Sequence, residues 1–339
     1  MKFDDLGIVV IGRNEGQRLI KCLASLIVRE HIVVYVDSGS TDTSVSEAER
    51  LGASVVKLDL TQPFTAARAR NEGFKALMAA KPDVRFVQFI DGDCELVPTW
   101  LDTALPFIAN QKDVAVVCGR RRERFPERSV YNWLCEIEWN TPIGEALACG
   151  GDSLMRVDAF QEAGGFRSRL IAGEEPELCT RLRKKGWKIW RLDADMTCHD
   201  AAMTRFSQWW LRAVRSGYAE AEISRLHLWS GLATREKRAV ASAVIWGGLI
   251  PLVIILAALF YPVLLAGIVI YPIQIWRIAV RRRAMRPGSW TYAIFMTIAK
   301  FAQLQGNLKY FWDCWRGQTR GAIEYKQGDR PSTTMPRHH

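Results

Sequence analysis

No Cys-x-x-Cys pair and no recurring metal-ligand spacing occurs among the eight cysteines: Cys22, Cys94, Cys118, Cys135, Cys149, Cys179, Cys198 and Cys314. A cysteine-built zinc site is thereby excluded, and the thiols read as small fillers of strands and helices in a reduced, cytosolic setting. A signal peptide is missing as well: the opening MKFDDLGIVVIGRNEG carries acids and only a short apolar run before Arg13. Internal repeats are absent, and low complexity is confined to the last residues, 327–339, which read as a disordered tail. Acidic charge is in deficit, leaving a net charge of +10 that calls for an anionic partner. Nucleic acid is the weakest choice, because Arg235 to Arg238 and Arg277 to Arg286 bracket one long apolar stretch. That placement points to a membrane surface.

What is present is first a strand–helix alternation. Leu6–Ile11 is a continuous apolar run ending at Gly12, and Glu15–Ile27 then carries helical periodicity. His31–Val36 reads as a second strand, with Ser40 or Thr41 as the cap of a helix running to Leu51. Ala53–Leu58, Thr65–Ala80 and Arg85–Ile90 add strand, helix and strand. The expected class is α/β, a mainly parallel sheet flanked by helices, with ligands at the carboxyl ends of the strands. Asp37 and Asp91 stand at such ends.

Past Trp100 the pattern is irregular. Val114–Cys118 is a strand, followed by the basic run Arg120, Arg121, Arg122 and Arg124 and a Trp-rich segment, Tyr131–Trp139. Val157–Ala163 and Glu174–Lys185 are helices, and Lys188–Leu192 is a strand. Ala239 to Val280 is almost uncharged and has the length of two spans broken at Tyr261-Pro262, so a hairpin with both ends on the cytosolic side is expected. A pair of buried helices in a soluble domain is the competing reading. Trp290–Trp315 is interrupted by Lys300, Gln303, Gln305, Asn307 and Lys309, which suits an amphipathic helix on the membrane surface. The chain thus divides into a catalytic-type domain (1–230), a membrane hairpin with basic flanks (231–285), an interfacial helical segment (286–326) and the tail (327–339).

Asp91-Gly92-Asp93 carries the clearest chemistry. Two carboxylates flanking a glycine at a strand end suit a hard divalent cation, Mg²⁺ or Mn²⁺, completed by phosphate oxygens and water. Read with Val9-Val10-Ile11-Gly12-Arg13-Asn14-Glu15, Val36-Asp37-Ser38-Gly39-Ser40-Thr41-Asp42, Ala69-Arg70-Asn71-Glu72-Gly73 and Gly173-Glu174-Glu175-Pro176-Glu177-Leu178, the sequence resembles family 2 glycosyltransferases over roughly residues 6 to 220.

That resemblance implies the Rossmann-like GT-A fold and an inverting transfer from a nucleotide-diphosphate sugar, preferably a UDP-sugar. The acceptor would be lipid-linked or a polysaccharide, met at the cytosolic face of a membrane together with its lipids. By position it assigns Asp37 to the nucleobase and Asp91 to the ribose, with Glu15, Arg70 and Arg68 along the nucleotide pocket. Asp93 becomes the metal ligand and His199 a further ligand. Glu175 becomes the general base, one methylene longer than the aspartate usual in the family's Glu-Asp pair. Asp152, Glu174 and Trp139 fall on the acceptor side: Asp152 either binds a sugar hydroxyl or fixes a turn, and Trp139 either stacks on a ring or packs in a core. Glu175 sits near a helix N-terminus, whose dipole favours carboxylate, so placement and not a raised pKa is expected to make it a base. The basic run Arg120–Arg124 either grips a phosphate-bearing lipid or forms a solvated edge. Two other readings stand beside this one: an inactive nucleotide-sugar-binding membrane protein, and a processive polysaccharide synthase. The second is disfavoured because Gln208-Trp209-Trp210-Leu211-Arg212 lacks the Gln-x-x-Arg-Trp spacing of such synthases.

Overall fold

The computed structural model describes residues 5–26, 32–62, 64–228, 233–282 and 288–317. The tail from 327, and Ile27, His31, Arg283 and Arg286 at the margins of expected elements, lie outside the described residues. The first half is built from β1 (Leu6–Gly12), α1 (Gln17–Leu26), β2 (Ile32–Asp37), α2 (Ser44–Arg50), β3 (Ser54–Lys57), α3 (Ala66–Ala80) and β4 (Phe86–Asp91). β5 (Cys94–Leu96), α4 (Trp100–Asn110), β6 (Val114–Glu123), α5 (Val130–Trp139) and β7 (Gly144–Ala146) follow. β8 (Ser153–Arg156), α6 (Val157–Glu162), α7 (Glu174–Lys184), β9 (Lys188–His199) and α8 (Phe206–Leu226) complete the sheet and its cover.

The strand order is β3-β2-β1-β4-β8-β6-β9-β5, with β7 on β9. β3, β2, β1 and β4 are mutually parallel; the apolar residues of β1 and β4 are buried because helices cover both faces, while those of the edge strand β3 are half-buried. Register aligns the functional ends: Gly12 pairs with Asp37 and Ile11 with Asp91. The sheet is mixed, because β8 lies antiparallel between β4 and β6. Four residues are too few to show a period. Their insertion matters, however, since the pairing of Ser153 with Phe89 brings Gly151 and Asp152 beside the end of β4.

Three expected elements change. Ser40 and Thr41 do not cap α2, which starts at Ser44; the Ser40 hydroxyl instead accepts from the Asn14 amide, and the Thr41 amide donates to the Asn14 side chain. These bonds tie the loop after β1 to the loop after β2, and Asn14 adopts a φ of 55° there. β6 runs on to Glu123, so the basic run is strand up to Arg122, and Arg124 follows its end. Its arginines meet carboxylates: Arg120 meets Glu136, Arg122 Asp195, and Arg124 Glu95. β9 extends to His199, where Glu123 of β6 and Cys94 of β5 are its cross-strand neighbours.

Two helices, Thr234–Phe260 and Pro262–Arg281, are long and apolar enough to cross a membrane, and they break at Tyr261 as the sequence suggests. Leu259, Phe260 and Val263 are exposed on them. The helix Ser289–Trp315 packs along α8, with Tyr218 on Tyr310 (5.2 Å) and Trp209 on Phe295 (4.9 Å). Gly217 and Gly306 make that crossing close, since a Cβ on either would collide with the opposite backbone.

Candidate active site

A cavity of about 900 Å³ opens at the carboxyl end of β1 and β4 and is closed on its far side by α8 and the C-terminal helices. Glu15, Arg70, Asp91, Asp93, Trp139, Glu174, Glu175 and His199 all line it. Asp37, Arg68 and Asp152 do not.

Arg70 is the centre of the charge pattern. It projects from α3 and is 2 % exposed. Nη1 donates to Glu174 Oε1 (2.7 Å) and meets Glu175 Oε1 at 3.0 Å, while Nη2 donates to Asp91 Oδ1 (2.7 Å). Burial alone would disfavour its charge, but Glu175, Asp91 and Glu174 hold it firmly protonated. Asp91 is only half-buried, and Arg70 and Arg121 outweigh the desolvation that remains and keep its pKa below the usual range.

Asp152 is fully buried beneath this pair. It accepts from the Asp91 amide (2.9 Å), from Arg121 Nε (3.0 Å) and from the Thr197 hydroxyl (2.7 Å). It therefore sets the position of Asp91 and Arg121, and it fixes more than a turn. Gly151 permits the arrangement: a Cβ there would lie 2.7 Å from Arg70 Nη2 and 2.8 Å from Asp91 Oδ2. The sequence did not single out Arg121 from its basic neighbours. Arg121 lines the cavity while Arg120 and Arg122 both pair with Glu136, and the bulges of β6 on either side of Arg120 break the alternation that would have separated them.

Glu174 and Glu175 open α7 directly after Gly173, whose φ of 76° is open to glycine at no steric cost. Glu174 serves Arg70. Glu175 is pushed up to about 7 by burial first and by Glu174 next, with Arg70 opposing. The expectation of a dipole-stabilised, ordinary carboxylate is overturned. Desolvation beside another acid outweighs the helix terminus.

The candidate metal-binding pair joins Asp93, in the turn between β4 and β5, to His199 at the end of β9. His199 Nε2 lies 3.2 Å from Asp93 Oδ2, and His199 Nδ1 lies 3.8 Å from Glu123 Oε2. Glu123 is anchored by the Ala201 amide (3.0 Å) and the Asn132 side chain (3.1 Å). With its proton on Nε2 the imidazole donates to Asp93; with the proton on Nδ1, toward Glu123, the Nε2 lone pair is free to meet a cation beside Asp93. Two acceptors converging in this way are satisfied by a proton or a cation between them, and a hard oxygen with an imidazole suits Mn²⁺ or Mg²⁺. Cys94 is near, but its buried thiol is soft and held protonated. Trp139 stands edge-on to His199 (4.8 Å) and under Arg121 (5.5 Å), so it packs the wall between them.

Asp37 is committed to its own loop: Oδ2 accepts from the Gly39 and Ser40 amides (3.0 and 2.9 Å) and Oδ1 from the Tyr35 hydroxyl (3.1 Å). Its neighbour Ser38 lines the cavity, together with Gly12, Arg13 and Phe64. Arg68 donates to the Gln62 carbonyl (3.2 Å). Glu15 is paired with Arg18 at 2.8 Å.

The fold and site define an α/β domain with a carboxylate–imidazole pair and a largely buried Arg70–carboxylate cluster at the sheet's ligand edge. Residues 7–170 match the Glycosyl transferase family 2 model, and that match supports a family 2 glycosyltransferase. Glucomannan 4-beta-mannosyltransferase 1 of Oryza sativa subsp. japonica is 27% identical over 179 residues, which cover 47% of this chain and 34% of that protein. Probable glucomannan 4-beta-mannosyltransferase 1 of Arabidopsis thaliana is 26% identical over 209 residues, 56% of this chain and 37% of the other. The chain spans about a third of the length of these relatives. Mannosyltransferase PcManGT from Pyrobaculum calidifontis, solved in complex with GDP-Man and Mn2+, shares the GT-A fold. It superposes with a TM-score of 0.59 at 16% identity, covering 91% of this chain and 87% of that one.

Proposed function

We propose that the protein is an inverting, metal-dependent glycosyltransferase. It moves a sugar from a nucleotide-diphosphate donor to a lipid-linked or polysaccharide acceptor at the cytosolic face of a membrane. The observation that carries this reading is the convergence of Asp93 with His199 and of Glu175 with Arg70 on a single cavity. A buried acid near pH 7 suits a general base. Glu175 takes the proton of the acceptor hydroxyl as its oxygen attacks the anomeric carbon, and the bond from that carbon to the diphosphate oxygen breaks. A Mg²⁺ or Mn²⁺ ion held by Asp93 and His199 would neutralise the departing diphosphate. Arg70 orients Glu175 and holds Asp91 ionised toward the donor ribose. Gly12, Arg13, Ser38 and Phe64 line the end of the cavity left for the base.

The sequence resemblance favours UDP, whereas the relatives are named for mannosyl transfer and the similar structure was solved with GDP-Man. Both nucleotides therefore enter the test. Thermal stability of the full chain is measured with UDP- and GDP-sugars, with and without Mn²⁺. A sugar nucleotide at about a hundred times its Kd stabilises the fold by about 2.7 kcal/mol. Absence of any metal-dependent stabilisation by either series would refute the proposal.

A further inference from the structure

Away from the metal pair, the cavity continues between α8 and the C-terminal helices. Its outer wall comprises Arg215 and Glu220 of α8, Arg235 at the start of the first apolar helix, and Tyr292, Met296 and Gln303 of Ser289–Trp315. A second cavity of about 310 Å³ lies between that last helix and the hairpin. Tyr292, Met296, Ala299 and Gln303 line both cavities, so the two are separated by little more than these side chains.

The smaller cavity has a one-sided charge. Arg281, Arg282 and Lys300 line it, and no carboxylate is among its lining residues. Arg282 stacks over Tyr292 at 5.1 Å, which places its guanidinium on the shared wall. Lys300 donates to Gln303 (2.9 Å), the other polar residue of that wall. Trp246 and Ile278 supply an apolar side. A partly apolar cavity that gathers cations and no acid is completed by an anion attached to an apolar body. The outer faces of the hairpin are apolar and exposed, and its basic end is where such a body would meet headgroups.

We propose that this second cavity holds the phosphate of a lipid-borne acceptor, whose reacting end passes Tyr292 and Gln303 to reach Glu175. This rests on the reading of the main cavity as the transfer site. The lipid chain lies along the hairpin, Arg281, Arg282 and Lys300 hold the phosphate, and the shared wall admits the acceptor from the membrane side. A water-soluble glycan has no need of this second cavity.

The test uses the full-length protein in phosphatidylcholine vesicles that contain a diazirine-bearing polyprenyl phosphate. After irradiation, adducts are mapped by mass spectrometry. Adducts are expected at Trp246, Ile278 and Met296, reduced by excess unlabelled polyprenyl phosphate and spared by phosphatidylglycerol and inorganic phosphate. The R281Q/R282Q/K300Q variant should lower labelling on the order of tenfold or more, as loss of charge-assisted hydrogen bonds implies. Its Mn²⁺-dependent binding of sugar nucleotide should stay unchanged. Three results overturn the proposal: adducts confined to Leu259, Phe260 and Val263, equal competition by phosphatidylglycerol or inorganic phosphate, or undiminished labelling of the triple variant. Donor binding is read separately, so any of these leaves the transfer reading standing, whereas its absence in the unaltered protein strikes that reading instead.

Discussion

Glu175 Oε1 lies 3.0 Å from Arg70 Nη1, and still its pKa is raised to about 7. An arginine at that distance would ordinarily keep a carboxylate ionised. Here the same guanidinium is shared with Glu174 and Asp91, so burial and the adjacent acid prevail. The result is a carboxylate that is oriented by a cation and still able to take a proton near neutrality.

If Glu175 is the base, replacing it by Gln removes proton acceptance with little change in volume. Transfer should fall by about 10²- to 10⁴-fold, the usual worth of general base catalysis. Donor affinity, measured by calorimetry with Mn²⁺, should stay within a few-fold of the unaltered protein. Near-normal turnover in Glu175→Gln would remove the residue from the mechanism.

The raised pKa also sets two opposite pH dependences. Transfer requires the carboxylate, so kcat/KM should climb as pH rises through about 7. Stability moves the other way. An unfolded glutamate titrates near ~4.3, so between that pH and about 7 the folded state holds the extra proton, and stability is lost as pH rises through this window. Glu174, Arg70, Asp91 and the Cys149 thiol face Glu175 and are shared by both states of the comparison. In Glu175→Gln the slope of Tm against pH between 5 and 7, roughly the span of the two pKa values, should flatten. An unchanged slope would contradict the assignment.

Much of this site was legible because the chain announces strand ends. A continuous apolar run cut by a glycine or an acid, as at Gly12 and Asp91, marks where a parallel sheet presents its ligand edge. Glu15, Arg70, Asp91, Asp93, Glu175 and His199 were all reachable from that logic and the family motifs. The surroundings of three other residues were not legible, for different physical reasons. Asp152 immediately precedes a four-residue antiparallel insertion that leaves no periodic signal, and Arg121 sits where bulges interrupt the alternation of β6. Asp37 sits where expected, yet its carboxylate closes its own turn, which side-chain-to-backbone bonding decides and residue order does not. Glu175 sits in a cavity wall to which α8 contributes Ala219 and Ile223, a juxtaposition that local sequence cannot reveal.

The Asp93–His199 pair predicts a graded metal dependence. Asp93→Asn and His199→Gln each remove one of the two donors, and even an outer partner of a metal ligand is worth about 10- to 100-fold in affinity. The Mn²⁺ concentration for half-maximal donor binding should rise at least that much in both variants. Should His199→Gln leave the Mn²⁺ dependence unaltered, the histidine would be only a packing partner of Trp139.

Arg70 offers the last and most severe test, because its loss is felt in stability as well as in activity. The guanidinium is buried among three carboxylates, all within 3.0 Å of its nitrogens. Arg70→Met fills the volume but leaves those acids facing one another in a water-poor wall. Breaking a buried pair in this way costs on the order of 3–5 kcal/mol. Arg70→Lys should recover only part of this, since one ammonium cannot fork toward both Asp91 and the Glu174–Glu175 pair. The carboxylates left behind would also take up protons, so the Met variant should regain stability as pH falls from 8 to about 6, a trend that follows from like charges raising one another's pKa. Denaturation midpoints of the two variants across that range check the argument. A Met variant as stable as the original at pH 8 would mean that the acids do not depend on Arg70 for their charge.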